Sequence, residues 1–233
     1  MIETIAWRSS PYGRGSTRRQ QLRIWLGGGL VLAGSIVGSQ MTAAAPGRAL
    51  RLVALGDSLT AGYGLPQSAA FPTVLEAALK ARGHQVTISN AGVSGDTSSG
   101  GLERLDWSVP DGTDGVILEL GANDMLRGVD PAVTAKALDA IVSRLKARGI
   151  PVLLAGMYAS RNLGPDYVQR FDAIYPDIAG RYGLVLYPFF LDGVAGEAKL
   201  ALPDGLHPTA EGVRKVVERI LPSVEAFLVR LGG

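Results

Sequence analysis

The sequence predicts a three-layer α/β domain built on a parallel sheet, and three observations carry that prediction. Five short runs rich in Val, Ile and Leu recur along the chain: LRLVALG (50–56), QVTISNAG (85–92), DGVILELG (114–121), IPVLLAGM (150–157) and GLVLYPFF (183–190). Amphipathic stretches with helical spacing follow them at 70–82, 97–105, 131–148, 165–181 and 209–231. Most of the runs are continuous in apolar residues rather than alternating, as strands covered on both faces are. Strand and helix repeated five times fold as parallel strands joined by right-handed crossovers, with helices on both sides of the sheet.

Each element in turn delivers the chain to a loop at one rim. The first strand runs into Gly56, Asp57 and Ser58, the second into NAGVSGDTSSGG, and the third into GANDMLRG. The loop after the fifth strand, ahead of the last helix, holds DGLHP. Ligands of open α/β sheets bind outside the carboxyl ends of the strands, so these four segments are where chemistry is expected. No internal repeat, low-complexity tract or long linker interrupts the pattern.

At 233 residues, with 47% hydrophobic and 19% charged content, the chain is long enough for one well-filled core and short for two. The N-terminus stands apart. Residues 1–23 carry Arg8, Arg14, Arg18, Arg19 and Arg23 against Glu3, followed by IWLGGGLVLAGSIVGS and MTAAAPG. A basic start, a short glycine-rich apolar stretch and small residues at its end predict a secretory signal peptide over residues 1–45, with the folded domain at 46–233. STRRQQLR looks like a twin-arginine export signal, although Gln21 stands where an apolar residue is usual. Cleavage is expected near Ala43–Ala45, with Pro46 disfavouring the bond after Ala45, and the mature protein is expected to be periplasmic or secreted. A retained membrane anchor, or a start at Met41, is the alternative.

Removing residues 1–45 takes five of the 23 basic residues and one of the 21 acidic ones, leaving 18 against 20. The mature domain is therefore slightly acidic, with no basic field for nucleic acid. Two histidines and no cysteine give few metal ligands and no disulfide or lipoprotein anchor. The expectations are no metal, no cofactor, no nucleic-acid partner and no obligatory membrane contact in the mature form. Nothing in the sequence sets an oligomeric state.

A serine hydroxyl becomes a nucleophile when a base takes its proton, and that base is usually a histidine oriented by a carboxylate. His84 follows KARG at the opposite, amino-terminal rim. His207, in DGLHP, is placed to approach Ser58, and Asp204 lies three residues before it. Acyl transfer also needs donors aimed at the developing oxyanion, each typically worth about 10²- to 10³-fold in rate. The Gly95 backbone N–H and the Asn123 side-chain amide are the candidates. Asp57 reads as a buried hydrogen-bonding residue that fixes the turn. The chain contains no G-x-S-x-G, which argues against the common α/β-hydrolase elbow, and GDSLTAGYG fits neither a phosphate-binding P-loop nor G-x-G-x-x-G.

GDSLTAGYGL, NAGVSGDTSSGGLERL, GANDMLRG and DGLHP together resemble the four sequence blocks of the GDSL, or SGNH, hydrolases, in order and in spacing. The resemblance spans residues 50–215 and, within that superfamily, is closest to secreted bacterial arylesterases of the thioesterase I and lysophospholipase type. RNLGPDYVQRFDAIYPDIA followed by LYPFFLDGV strengthens the closer match. It implies a flavodoxin-like sheet of order 2-1-3-4-5. It further implies that Ser58 is the nucleophile, that Asp204 and His207 complete the triad, and that the Ser58 N–H, Gly95 and Asn123 form the oxyanion hole. The implied activity is hydrolysis of carboxylic esters through an acyl-enzyme: aryl esters, short-to-medium acyl esters, acyl-thioesters or lysophospholipids.

Met125 and Leu126 follow the oxyanion asparagine, and Tyr158 and Leu163 lie in the loop after the fourth strand. These four are expected to line an apolar substrate groove beside Ser58, which favours small-molecule acyl and aryl esters. The rival readings are a carbohydrate O-acetylesterase, whose rim needs sugar-binding polar and aromatic groups, and a non-catalytic binding domain on the same fold.

Overall fold

The computed structural model describes residues 48–232, so the expected signal segment lies outside the described residues. In chain order the elements are β1 (Leu50–Gly56), α1 (Ser58–Ala61), α2 (Phe71–Ala81), β2 (Val86–Gly92), α3 (Ser98–Glu103), α4 (Leu105–Ser108), β3 (Gly115–Glu119), α5 (Ala122–Leu126) and α6 (Pro131–Ala147). They continue with β4 (Val152–Ala155), α7 (Pro165–Asp172), α8 (Ile174–Tyr182), β5 (Val185–Tyr187) and α9 (Ala210–Arg230). The five strands form one all-parallel sheet in the order β2-β1-β3-β4-β5.

Burial along the strands follows from that order. The central strands β1, β3 and β4 are buried almost throughout, whereas the edge strand β2 alternates over its first half. A strand covered on both faces has no solvent side to be polar on, while an edge strand keeps one. Helices α2 and α9 pack together, as do α3, α6 and α8, and these two groups form the outer layers. Leu52, Leu55, Ile117, Leu118, Leu153 and Leu154 fill the space between, each at most 1% exposed.

Two sequence expectations change at proline. The stretch 165–181 is not one helix but two, broken at Ala173. Pro176 lies three residues further on; it lacks the N–H that would bond the Asp172 carbonyl, and its ring crowds that carbonyl. The fifth strand stops at Tyr187 because Pro188 follows it, and the chain then turns back through a Phe190 N–H bond to the Gly156 carbonyl at 2.8 Å.

The register sets the site. Gly56 pairs with Gly92 on one side and Glu119 on the other, so β1, β2 and β3 end at one level. Ser58, Gly95 and Asn123 lie two, three and four residues beyond those ends, at the same rim.

Candidate active site

Ser58 occupies the first position of α1, a single helical turn missing from the sequence expectations. Asp57 caps that turn, its Oδ1 accepting the Leu59 N–H at 2.9 Å. Gly56 makes the reversal feasible: a Cβ there would fall 2.0 Å from Thr60 Oγ1 and 2.7 Å from the Glu119 carbonyl oxygen. The turn closes through Gly62, left-handed at φ 81°, whose N–H bonds the Ser58 carbonyl at 3.1 Å. Ser58 is 8% exposed, so the rim that reaches it is narrow.

His207 comes from the loop between β5 and α9. Its Nε2 lies 2.8 Å from Ser58 Oγ and its Nδ1 lies 2.7 Å from Asp204 Oδ2. Asp204 is fixed in turn, its Oδ1 accepting the N–H groups of Leu206 (2.9 Å) and His207 (3.0 Å). Those bonds, the His207 backbone N–H first, hold the Asp204 carboxyl down at about 2. An ionised Asp204 accepts a hydrogen bond from the Nδ1–H of His207, and that tautomer leaves Nε2 free to accept the serine hydroxyl. His84, by contrast, sits at the other rim, 3.4 Å from Glu225.

The two expected oxyanion groups lie just beyond the ends of β2 and β3. Gly95 has φ +83°, a conformation that needs glycine, and the Arg127 guanidinium donates to its carbonyl at 2.6 Å. Asn123 lies inside α5, whose N-cap is Gly121, so it is not the helix cap. Its Nδ2 donates to the Asp96 carbonyl at 2.9 Å and to Asp57 Oδ2 at 3.1 Å. The opposite amide orientation would set its oxygen against both acceptors, so the network fixes which end is nitrogen.

Beneath these groups lies a polar layer that sequence reasoning missed, Asp57 apart. Asp57 is fully buried, and burial lifts its carboxyl to about 6. Glu119, also buried, accepts the Thr60 hydroxyl at 2.8 Å; burial first, and then the Asp57 charge, push its carboxyl well above the ordinary range. Asp124 braces the second block, accepting the Ser98 N–H (2.8 Å) and hydroxyl (2.6 Å) and the Thr134 hydroxyl (3.0 Å). Arg104 ties Asp96 at 2.6 Å to the Gly56 carbonyl at 2.8 Å. The signal was present in the sequence as Asp96 and Arg104 within one block and Asp124 beside Asn123, charged residues in otherwise small-residue loops.

Met125 and Tyr158 line a cavity of about 380 Å³ that also borders Arg161, Phe189, Leu191 and Leu206. None of the triad residues borders it; what ties it to the site is Leu206, which adjoins His207 in the chain, and Met125, two residues from Asn123. Tyr158 stacks on Phe189 with ring centroids 4.9 Å apart. Leu126 and Leu163 do not border this cavity; they are 52% and 36% exposed. A larger cavity of about 480 Å³ between α6 and α8 is bordered by Arg170 and Arg181, which pair with Asp130 and Asp139, and none of the triad residues borders it.

The GDSL-like lipase/acylhydrolase family matches residues 54–215 of the chain. Esterase TesA of Pseudomonas aeruginosa is 34% identical over 85% of this chain and 98% of its own length. An arylesterase of Vibrio mimicus is 39% identical over 72% of this chain and 84% of its own. Among solved structures, AlinE4, an SGNH-hydrolase family esterase, superposes with a TM-score of 0.66 at 44% identity, covering 79% of this chain and 99% of AlinE4. The chain belongs to the GDSL-like lipase/acylhydrolase family. It is a serine ester hydrolase with the SGNH-hydrolase fold.

Proposed function

We propose that Ser58 attacks the ester carbonyl, that His207 is its base and Asp204 the carboxylate that orients the base. The observation that carries this reading is the unbroken chain from Asp204 Oδ2 to His207 at 2.7 Å and from His207 to Ser58 Oγ at 2.8 Å. Ser58 passes its proton to Nε2 as Oγ bonds the carbonyl carbon. The tetrahedral intermediate collapses, and Nε2 returns the proton to the departing alcohol. Water then attacks the acyl-enzyme by the same route and releases the acid. The N–H groups of Ser58 and Gly95 and the Asn123 amide stabilise the oxyanion. Both hydrogens of the Asn123 amide are already engaged, so one must turn to the oxyanion; the longer bond, to Asp57 at 3.1 Å, is the one that yields.

The cavity beside Met125 and Tyr158 takes the acyl chain, which makes the substrates aryl esters and short-to-medium acyl esters, with acyl-thioesters and lysophospholipids presenting the same carbonyl. The mature enzyme is exported, beginning between about Ala44 and Gly47 after signal cleavage and acting in the periplasm or outside the cell. N-terminal sequencing of the protein recovered from periplasm and medium tests this, with Arg18→Lys/Arg19→Lys testing the twin-arginine route. A full-length cytoplasmic chain contradicts export. For the chemistry, purified Ser58→Ala and His207→Ala should each lose at least about 10³-fold in ester hydrolysis without a change in folding. Intact activity in either folded variant excludes the assignment.

A further inference from the structure

We infer that Tyr63 is a positioning residue for the histidine base, a role that rests on the triad reading above. The Tyr63 and His207 rings lie 4.4 Å apart between centroids with an interplanar angle of 35°. The imidazole is thus held on three sides: Asp204 at Nδ1, Ser58 at Nε2 and the Tyr63 ring across one face. Edge bonds alone leave the ring free to tilt about the axis joining its two nitrogens. A partner on the face stops that tilt.

Tyr63 is suited to the task because it belongs to the nucleophile's own turn. Its N–H bonds the Ser58 carbonyl at 3.0 Å, beside the Gly62 bond to the same oxygen. One residue later, Gly64 is left-handed at φ +74° and lies so close to the base loop that a Cβ would fall 2.9 Å from Leu202 Cδ1. Leu202 in turn donates its N–H to the His207 carbonyl at 2.7 Å. Two segments about 140 residues apart in sequence are therefore registered by the approach of the Leu202 side chain to Gly64 as well as by the triad. The stacked ring carries that register to the imidazole itself. An aromatic face also favours a cation, so the contact strengthens when His207 takes the serine proton.

Core packing does not account for Tyr63, which is 51% exposed. The residue can therefore be changed without opening a cavity. Tyr63→Leu, Tyr63→Phe, Ser58→Ala and wild type are compared with p-nitrophenyl butyrate, with melting temperatures recorded for each. Tyr63→Leu should lose roughly 3- to 10-fold in kcat with KM unchanged, and Tyr63→Phe, which keeps the ring, should retain wild-type kcat. The downfield proton resonance of His207 Nδ1 should stay sharp in wild type and Tyr63→Phe and broaden in Tyr63→Leu. Wild-type kcat in Tyr63→Leu, an equal loss in Tyr63→Phe, or a change confined to KM overturns the inference. Full activity in Ser58→Ala removes the triad reading instead, and the role of Tyr63 with it.

Discussion

Asn123 is the residue whose surroundings say most about how the site works. It is held ready by Asp57 and by the Asp96 carbonyl, and both acceptors sit on segments that also carry Ser58 or Gly95. Asn123→Ala should therefore lower kcat by about 10²-fold or more with little change in KM, because the bond it removes exists only in the transition state. A variant changed only in KM contradicts the oxyanion role. Asp204 gives a second test, this time of stability. Its folded carboxyl, held at about 2, lies below the ordinary value of 3.8. The stability it contributes is complete above about pH 4 and is lost as pH falls through 2. Melting curves of wild type and Asp204→Ala should accordingly be separated at pH 5 and converge towards pH 2; a constant separation contradicts the assignment. The meeting of Ser58, Asp204 and His207 could be read from the sequence because His207 is one of only two histidines and shares with Asp204 a loop at the rim where Ser58 lies. Glu119 was not legible: inside the apolar third strand, a carboxylate reveals its partner only once the chain is folded.

At the scale of elements, the single turns α1 and α5 and the strand β3 do the positioning. Neither helix shows periodicity in the sequence, since four or five residues are too few for a face to repeat. What replaces it is the layer under them, in which Thr60 of α1 rests on Glu119 of β3. Burial pushes the Glu119 carboxyl well above its ordinary 4.5. A carboxyl raised on folding stabilises below its unfolded value, and that contribution is lost as pH rises towards its folded value. Glu119→Gln, neutral at every pH, should match wild type in mild acid and exceed it in urea stability as pH rises. If the gap does not widen with pH, Glu119 is not the buried acid described. The break between α7 and α8 was legible and overlooked: Pro176 stands inside the pattern, and amphipathic spacing across 165–181 conceals it because Phe171, Ile174, Tyr175 and Ile178 keep one buried face.

At the largest scale, the described residues form a sheet whose level strand ends gather distant loops at one rim, and substrate preference belongs to this scale. The fold class followed from the alternation of elements, and the order 2-1-3-4-5 from the family resemblance, because periodicity holds no information about which strands are neighbours. The apolar groove was only partly legible, since Met125 and Tyr158 border the cavity and Leu126 and Leu163 do not. Each methylene buried there contributes at most about 0.8 kcal/mol, a few-fold in kcat/KM. A series of acetyl, butyryl, hexanoyl and decanoyl p-nitrophenyl esters should show kcat/KM rising over the first members, and Met125→Ala should flatten the rise. Strict preference for an acetylated xylose, unmoved by that substitution, favours the carbohydrate esterase. The central claim is that one serine, Ser58, carries the acyl group. Its direct test is to inactivate the enzyme with a p-nitrophenyl alkylphosphonate, count the nitrophenol released and locate the adduct by mass spectrometry. One nitrophenol per chain, an adduct on Ser58 and ester hydrolysis lost in proportion are the predicted result; hydrolysis that persists with Ser58 fully modified, or an inactivating adduct on another residue, contradicts it.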